Sequence, residues 1–158
     1  MNENNMKEDP YKNWARKYDF FVEPFNRTLR QIGKGLHPPV EGMNVLDVGC
    51  GTGTTLNHYQ KTGCNVFGID SSPAMLSVSK NRLRSGANLL LGDASNMEYP
   101  SDFFDMVIAM MTLHEISHNA RLKVFDEMIR TLKKDGRILI IDYHPSDQIF
   151  PKGWMHKS

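Results

Sequence analysis

The run Val45-Leu46-Asp47-Val48-Gly49-Cys50-Gly51-Thr52-Gly53 joins a short apolar strand to three glycines at alternate positions, and a polar, helix-competent segment follows it. That combination points to a nucleotide-binding turn. A residue without Cβ adopts positive φ freely and lets backbone approach a ligand closely, and three such residues so close together are a costly way to build an ordinary loop. A tight strand-to-helix turn without a ligand is the plainer alternative.

The 158 residues suit one domain around one core, so a single active site is expected. Charged residues make up 23% and the formal net charge is +1, which provides no global basic field for nucleic acid or an anionic membrane and leaves only a local patch open. No nucleic-acid partner is expected. Cys50 and Cys64 lack the spacing of a disulfide framework or a metal site and read as small packing residues. Met106, Met110, Met111 and Met128 lie in apolar segments, so core filling explains them. The polar N-terminus, residues 1–10, has no apolar signal-peptide core and is expected to be disordered; no later run is long enough to span a bilayer. A cytoplasmic protein without an integral membrane segment is expected.

From Met43 onward short β-type runs alternate with helical patterns, which implies an α/β fold, a Rossmann-like doubly wound parallel sheet. Strands are expected at Met43–Val48, Asn65–Ile69, Asn88–Leu91, Phe103–Met111 and Arg137–Tyr143. Between them lie helices from Thr54 to Lys61, from the Ser72-Pro73 start to Arg84, and from Asn119 to Lys134, the last closed by Asp135-Gly136. Upstream, Trp14, Tyr18, Phe21, Val22 and Phe25 recur at helical spacing, and Leu29, Ile32 and Leu36 do so after Pro24. Two amphipathic helices are therefore expected in residues 11–37, as a lid over the ligand or a cover for the sheet edge. The core then occupies residues 38–144 and a short tail residues 145–158.

Open parallel sheets bind ligands beyond the carboxyl ends of their strands, where the strand order reverses. Asp47 and Gly49 to Gly53 follow strand one, Asp70 ends strand two, Asp93 follows strand three, and His114-Glu115 follows strand four, so all reach one rim. Asp70 can accept both hydroxyls of a ribose, or cap the next helix. Asp93 can accept from an exocyclic amine such as that of adenine beside the Ala94 N–H, or form a turn. Asp47 can hold a cationic amine, or tie the loop to itself.

Asp47-Val48-Gly49-Cys50-Gly51-Thr52-Gly53, Gly68-Ile69-Asp70, Gly92-Asp93-Ala94, Phe104-Asp105-Met106-Val107 with Leu113-His114-Glu115, and Leu132-Lys133-Lys134-Asp135-Gly136-Arg137 resemble the successive motifs of class I S-adenosylmethionine-dependent methyltransferases. The resemblance covers about Trp14 to His144 and is greatest with the small-molecule branch that includes ubiquinone and menaquinone C-methyltransferases, which Tyr18-Asp19 also fits. It implies the strand order 3-2-1-4-5, S-adenosyl-L-methionine as cofactor and S-adenosyl-L-homocysteine as product. Asp47, Gly49, Cys50, Gly51, Thr52 and Gly53 would hold the methionine part, Asp70 with Ser71 the ribose, Asp93 with Ala94 the adenine, while Met110 and Met111 would line the cofactor wall and Tyr18 would close over it. The acceptor would be a small or lipid-like molecule.

A sulfonium is already a strong methyl donor, so in-line positioning can carry the reaction, and an acceptor that loses a proton needs a base. His114 is the candidate, with Glu115 orienting it or sharing the task; a satisfied structural histidine is its other reading. No metal-ligand spacing links the histidines to the carboxylates, so no metal is expected. An NAD-dependent oxidoreductase is the rival enzyme reading, but alternate glycines and an acidic residue inside strand one depart from G-x-G-x-x-G. A cofactor-binding module without catalysis is the other rival. The family adds a helix and a final β6/β7 hairpin that the residues after His144 cannot build, so strand five has an open edge. Self-association through that edge, or a longer parent chain, is the expected consequence.

Overall fold

The computed structural model describes residues 9–142. Five strands, β1 (Asn44–Val48), β2 (Asn65–Asp70), β3 (Asn88–Leu91), β4 (Phe104–Met110) and β5 (Leu132–Ile141), pair in parallel in the order β3-β2-β1-β4-β5. This is the Rossmann-like order that the resemblance implies. Because β2 and β4 flank β1 on opposite sides, the crossovers diverge there and open a crevice beyond its carboxyl end.

Each strand feeds two cores, since alternate side chains point to opposite faces. On one face Val45, Val66, Met106, Ile108 and Leu139 pack with Leu56 and Tyr59 of α2 (Thr54–Gln60) and Leu76 of α3 (Pro73–Arg82). On the other, Leu46, Val48, Ile69, Phe104 and Val107 pack with Val124 and Met128 of α4 (His118–Thr131). The loop before β4 fills the rest of that face: Phe67, Tyr99, Phe103 and Phe104 meet edge to face, with centroids 5.0 to 6.1 Å apart. Full burial of a leucine, isoleucine or phenylalanine contributes roughly 1.5–3 kcal/mol, so β4, the most completely buried strand, anchors the sheet.

Residues 15–36 form one helix, α1 (Ala15–Leu36), not two; Pro24 lies inside it. Proline removes one helical N–H, and the carbonyl it would have served, that of Phe20, is on the exposed side, where water can satisfy it. Both halves are pinned by tertiary contacts. Asp19 accepts from Thr52 at 2.6 Å, and Gly33 lies so close to Leu139 that a Cβ there would stand 2.8 Å from its side chain. The disorder expected for residues 1–10 does not extend to Asp9, which accepts from the Ser72 hydroxyl and the Ala74 N–H. The rest of that expectation, residues 1–8, lies outside the described residues, as do Tyr143, His144 and the tail.

Helix α3 stops at Arg82, two residues early, because Leu83 turns extended and buries itself in the core. Helix α4 stops at Thr131, where sequence patterning carries it to Lys134. Leu132 pairs with Phe104 and Lys133 reaches Asp105 at 2.7 Å, so the sheet claims these residues from the helix. The register then jumps, Met106 pairing with Arg137.

Candidate cofactor site

The glycine loop is shaped by three separate demands. Gly49, Gly51 and Gly53 all have positive φ. A Cβ on Gly49 would lie 2.2 Å from Cγ2 of Thr112, and one on Gly53 2.3 Å from Oγ of Ser79, so these two glycines admit neighbouring elements. A Cβ on Gly51 would meet nothing within 4 Å. Only Gly51 borders open space, the place where a ligand can approach backbone. Gly49 and Cys50 both donate to the Ile69 carbonyl, at 2.8 and 3.1 Å, which ties the loop to β2. The Cys50 side chain packs inward over Gly68, and burial pushes its thiol up, so Cys50 faces the crevice through backbone alone.

Two carboxylates stand beside this loop. Asp47 is 2% exposed, between Gly68 and Ile108 in the sheet. Burial, then repulsion from Asp70, pushes its carboxyl up to about 8, against the opposing pull of Arg30. Asp70 accepts the Gly51 N–H at 2.7 Å on Oδ2 and the Ser72 N–H at 2.8 Å on Oδ1. Burial raises its pKa, and those N–H groups oppose the shift. Each oxygen retains a lone pair for a hydroxyl donor. Ser71, exposed, follows it, and Ser72 caps α3 by accepting from Met75 at 3.1 Å. Asp93 is exposed and accepts the Ser95 N–H at 2.8 Å, the turn-forming contact; Ala94 beside it is half-buried.

The N-terminal segment crosses this rim. Asp9 holds the start of α3, and burial of its carboxyl is outweighed by the N–H groups of Tyr11 and Ala74 and the Ser72 hydroxyl, which pull it below the ordinary range. Two residues on, Tyr11 donates to Glu115 at 2.6 Å and meets Tyr18 edge to face at 5.9 Å. Tyr18 is half-buried on the first turn of α1, next to Asp19. Asp19 accepts from Thr52 and pairs with Arg82, and Arg82 also donates to the Thr52 carbonyl at 2.9 Å and to the Thr54 hydroxyl.

At the end of β4, Met110 is buried and accepts weakly from the Thr55 hydroxyl at 3.8 Å, while Met111 just past it takes a left-handed φ of 54°. That twist carries the chain into the turn Leu113–Glu115. There the imidazole of His114 lies with Nδ1 2.7 Å from Oδ1 of Asp142, and its own N–H donates to Oδ2 at 3.1 Å. Oε1 of Glu115 lies 3.9 Å from Nε2. A cavity of about 10 Å³ under α1, bounded by Arg30, His58, Tyr59 and Met110, has room for one water and no acceptor. Among the described residues no cluster of histidine, cysteine or acidic side chains is arranged to hold a metal ion.

Residues 45–136 match a protein family described as a methyltransferase domain. The chain belongs to that family. With its sheet order and motifs it is a class I, S-adenosylmethionine-dependent methyltransferase domain. It is 34% identical over 137 residues to a demethylmenaquinone methyltransferase of Renibacterium salmoninarum, an alignment covering 84% of this chain and 56% of that one. It is 32% identical over 143 residues to a phosphatidylethanolamine N-methyltransferase of Cereibacter sphaeroides, covering 87% and 68%. Among solved structures it resembles an S-adenosylmethionine-dependent methyltransferase of Mesorhizobium loti, with a TM-score of 0.65, 25% identity, and coverage of 73% and 53%. The chain thus spans little more than half the length of the demethylmenaquinone relative.

The residues of this methyltransferase domain fit the cofactor its family implies. The open backbone at Gly51, the buried Asp47 carboxyl and the spare lone pairs of Asp70 lie together at the crevice. Asp142, Asp19, Arg82, Tyr11 and Asp9 also meet the site, and sequence reasoning assigned none of them a role. No local motif marks them, since each acts through a partner far along the chain.

Proposed function

We propose that this chain transfers a methyl group from S-adenosylmethionine to a small-molecule or lipid-like acceptor, chiefly by in-line positioning. The observation that carries the reading is the placement of Asp47, Gly51 and Asp70 together at the switch point, with the His114–Asp142 pair past the ends of β4 and β5. S-adenosylmethionine, when bound, supplies a methyl group activated on a sulfonium.

The protein's own part is to bind, align and deprotonate. Asp47 meets the cationic amine of the methionine portion, with the backbone of Gly49, Cys50, Gly51, Thr52 and Gly53 around it. Asp70 with Ser71 takes the ribose, Asp93 with Ala94 the adenine, and Met110 and Tyr18 bound the remaining sides. Holding two reactants in a near-attack arrangement lowers a barrier by roughly 7–11 kcal/mol, which accounts for the absence of a nucleophilic triad from the described rim. When Nδ1–H is donated to Asp142, the lone pair of His114 sits on Nε2, which takes the proton that an acceptor must lose. Names of relatives that act on a quinone precursor and on phosphatidylethanolamine support an acceptor with a polar head and an apolar body.

Titration calorimetry with S-adenosylhomocysteine and with NADH, followed by label transfer from methyl-labelled cofactor to quinol and phospholipid acceptors, tests the reading. Binding of S-adenosylhomocysteine without NADH, with label in an acceptor, is the expected result. Binding of NADH alone would establish the oxidoreductase; cofactor binding with no label in any acceptor would reduce the chain to a binding module.

A further inference from the structure

Trp14, Phe20 and Phe21 at the start of α1 are 54%, 81% and 53% exposed. Their rings form a connected group, with Trp14 5.5 Å from Phe21 and Phe20 5.3 Å from Phe21. Ile32, on the same side of the helix as Phe21, and Leu36 extend the exposed apolar surface along α1. Packing of the sheet needs none of them, because α1 turns Ala15, Asn26, Arg30 and Gly33 inward.

The charges of this segment are sorted with equal clarity. Among the described residues of this segment every acidic group is engaged and partly buried: Asp9 on Ser72 and Ala74, Asp19 on Thr52 and Arg82, Glu23 on Arg30. The exposed charged groups are Lys12, Arg16, Lys17 and Arg27, all cationic. A chain of nearly balanced charge thus presents a locally positive, aromatic face. Trp and Phe beside Lys and Arg on one helix are the pattern of an element lying in a bilayer interface, its rings among the acyl boundary and its cations on lipid phosphates.

We propose that the outer face of residues 12–36 docks on an anionic lipid bilayer. Charge complementarity selects this occupant over a second copy of the chain, since a two-fold contact through the same face would set the cations of each copy against those of the other. The inner side of the same segment holds Thr52 through Asp19, and Tyr11 just before it holds Glu115, so docking brings the crevice to the membrane surface. Delivery of a lipid-like acceptor from there rests on the methyl-transfer reading; the docking itself does not.

Sedimentation of the full chain with vesicles of phosphatidylcholine alone, or with phosphatidylglycerol added, is the test. Retention on the anionic vesicles is expected, on the order of tenfold above that on phosphatidylcholine and falling with salt. The Trp14→Ser/Phe20→Ser/Phe21→Ser variant should lose on the order of tenfold, and Arg16→Gln/Lys17→Gln/Arg27→Gln should lose the roughly tenfold anionic preference. Both should bind S-adenosylhomocysteine as the parent does, which separates docking from folding and from the cofactor reading. Should the triple aromatic variant misfold, Phe20→Ser alone and the emission shift of Trp14 in a Trp154→Phe background report the same contact. Equal retention on both vesicle types, no retention, or aromatic variants that bind like the parent would overturn the proposal. So would a dimer in light scattering that becomes a monomer when the aromatic residues are replaced, because a second copy would then own the face.

Discussion

Asp142 grips His114 twice: Oδ1 lies 2.7 Å from the imidazole Nδ1, and Oδ2 accepts the His114 backbone N–H at 3.1 Å. The ends of β4 and β5 are thereby joined across the rim, and the ring is held in one orientation. A carboxylate placed this way selects the imidazole tautomer whose Nε2 carries the lone pair.

Asp142→Asn should keep the fold and the affinity for S-adenosylhomocysteine while kcat falls about ten- to hundredfold, and His114→Ala should lower kcat by roughly 10² to 10⁴ for an acceptor that loses a proton. The split between kcat and cofactor affinity is the readout. A merely structural role would move stability and cofactor binding together with kcat.

Asp47 makes cofactor binding and stability depend on pH in opposite senses. Its folded carboxyl, at about 8, lies above the unfolded value of 3.8, so the folded state holds an extra proton between them. Stability from this group is therefore present at low pH and declines as pH rises from about 4 to 8. Asp47→Asn should flatten that decline and raise Tm near neutral pH by a few degrees in a thermal melt. A cationic amine favours the charged carboxylate, so affinity for S-adenosylhomocysteine in the parent should rise from pH 6 to 8 with proton release, and calorimetry in buffers of different ionisation enthalpy should detect the proton.

The three glycines of the loop should fail in different ways when replaced by alanine. Gly49→Ala and Gly53→Ala meet Thr112 and Ser79, and overpacking with a left-handed φ should cost about 2 kcal/mol or more in denaturant unfolding. Gly51→Ala has open space and loses only about 1–2 kcal/mol to its φ. Its new methyl group occupies the crevice, so cofactor affinity should fall further than stability does.

Removing the tie between α1 and the loop should loosen the cofactor without unfolding the sheet. Asp19→Ala deletes the acceptor of the Thr52 hydroxyl and leaves Arg82 without that partner. Affinity for S-adenosylhomocysteine should drop about tenfold, and hydrogen exchange should quicken in the first turns of α1 while β1 and β4 stay protected.

Much of the fold was legible because its signals are local. Alternating apolar strands and helical patterns predict the parallel sheet, and the strand-to-glycine junction at Val45 to Gly53 predicts where its crevice opens. The Ser72-Pro73 start of α3 was equally plain, a cap followed by a residue whose φ is already helical. Asp47 inside β1, Asp70 at the end of β2 and Asp93 after β3 could be named for the same reason, since the carboxyl end of each strand opens on the rim.

The rest depended on partners distant in sequence. Pro24 reads as the end of a helix, yet contacts at Asp19 and Gly33 hold one helix through it. Lys133 reads as helix, yet Asp105, 28 residues away, draws it into the sheet. Asp142 carries no motif and acquires a role only because His114, also 28 residues away, arrives beside it; Arg82 meets Asp19 across 63 residues. The glycine turn and the parallel sheet are readable from the chain alone, because they follow from spacing and chain direction, and the strand order came with the resemblance that the successive motifs carry. Which charges are paired, and which carboxyl is buried with its pKa raised, emerge only in the folded chain, because those properties depend on desolvation and on neighbours that folding brings together.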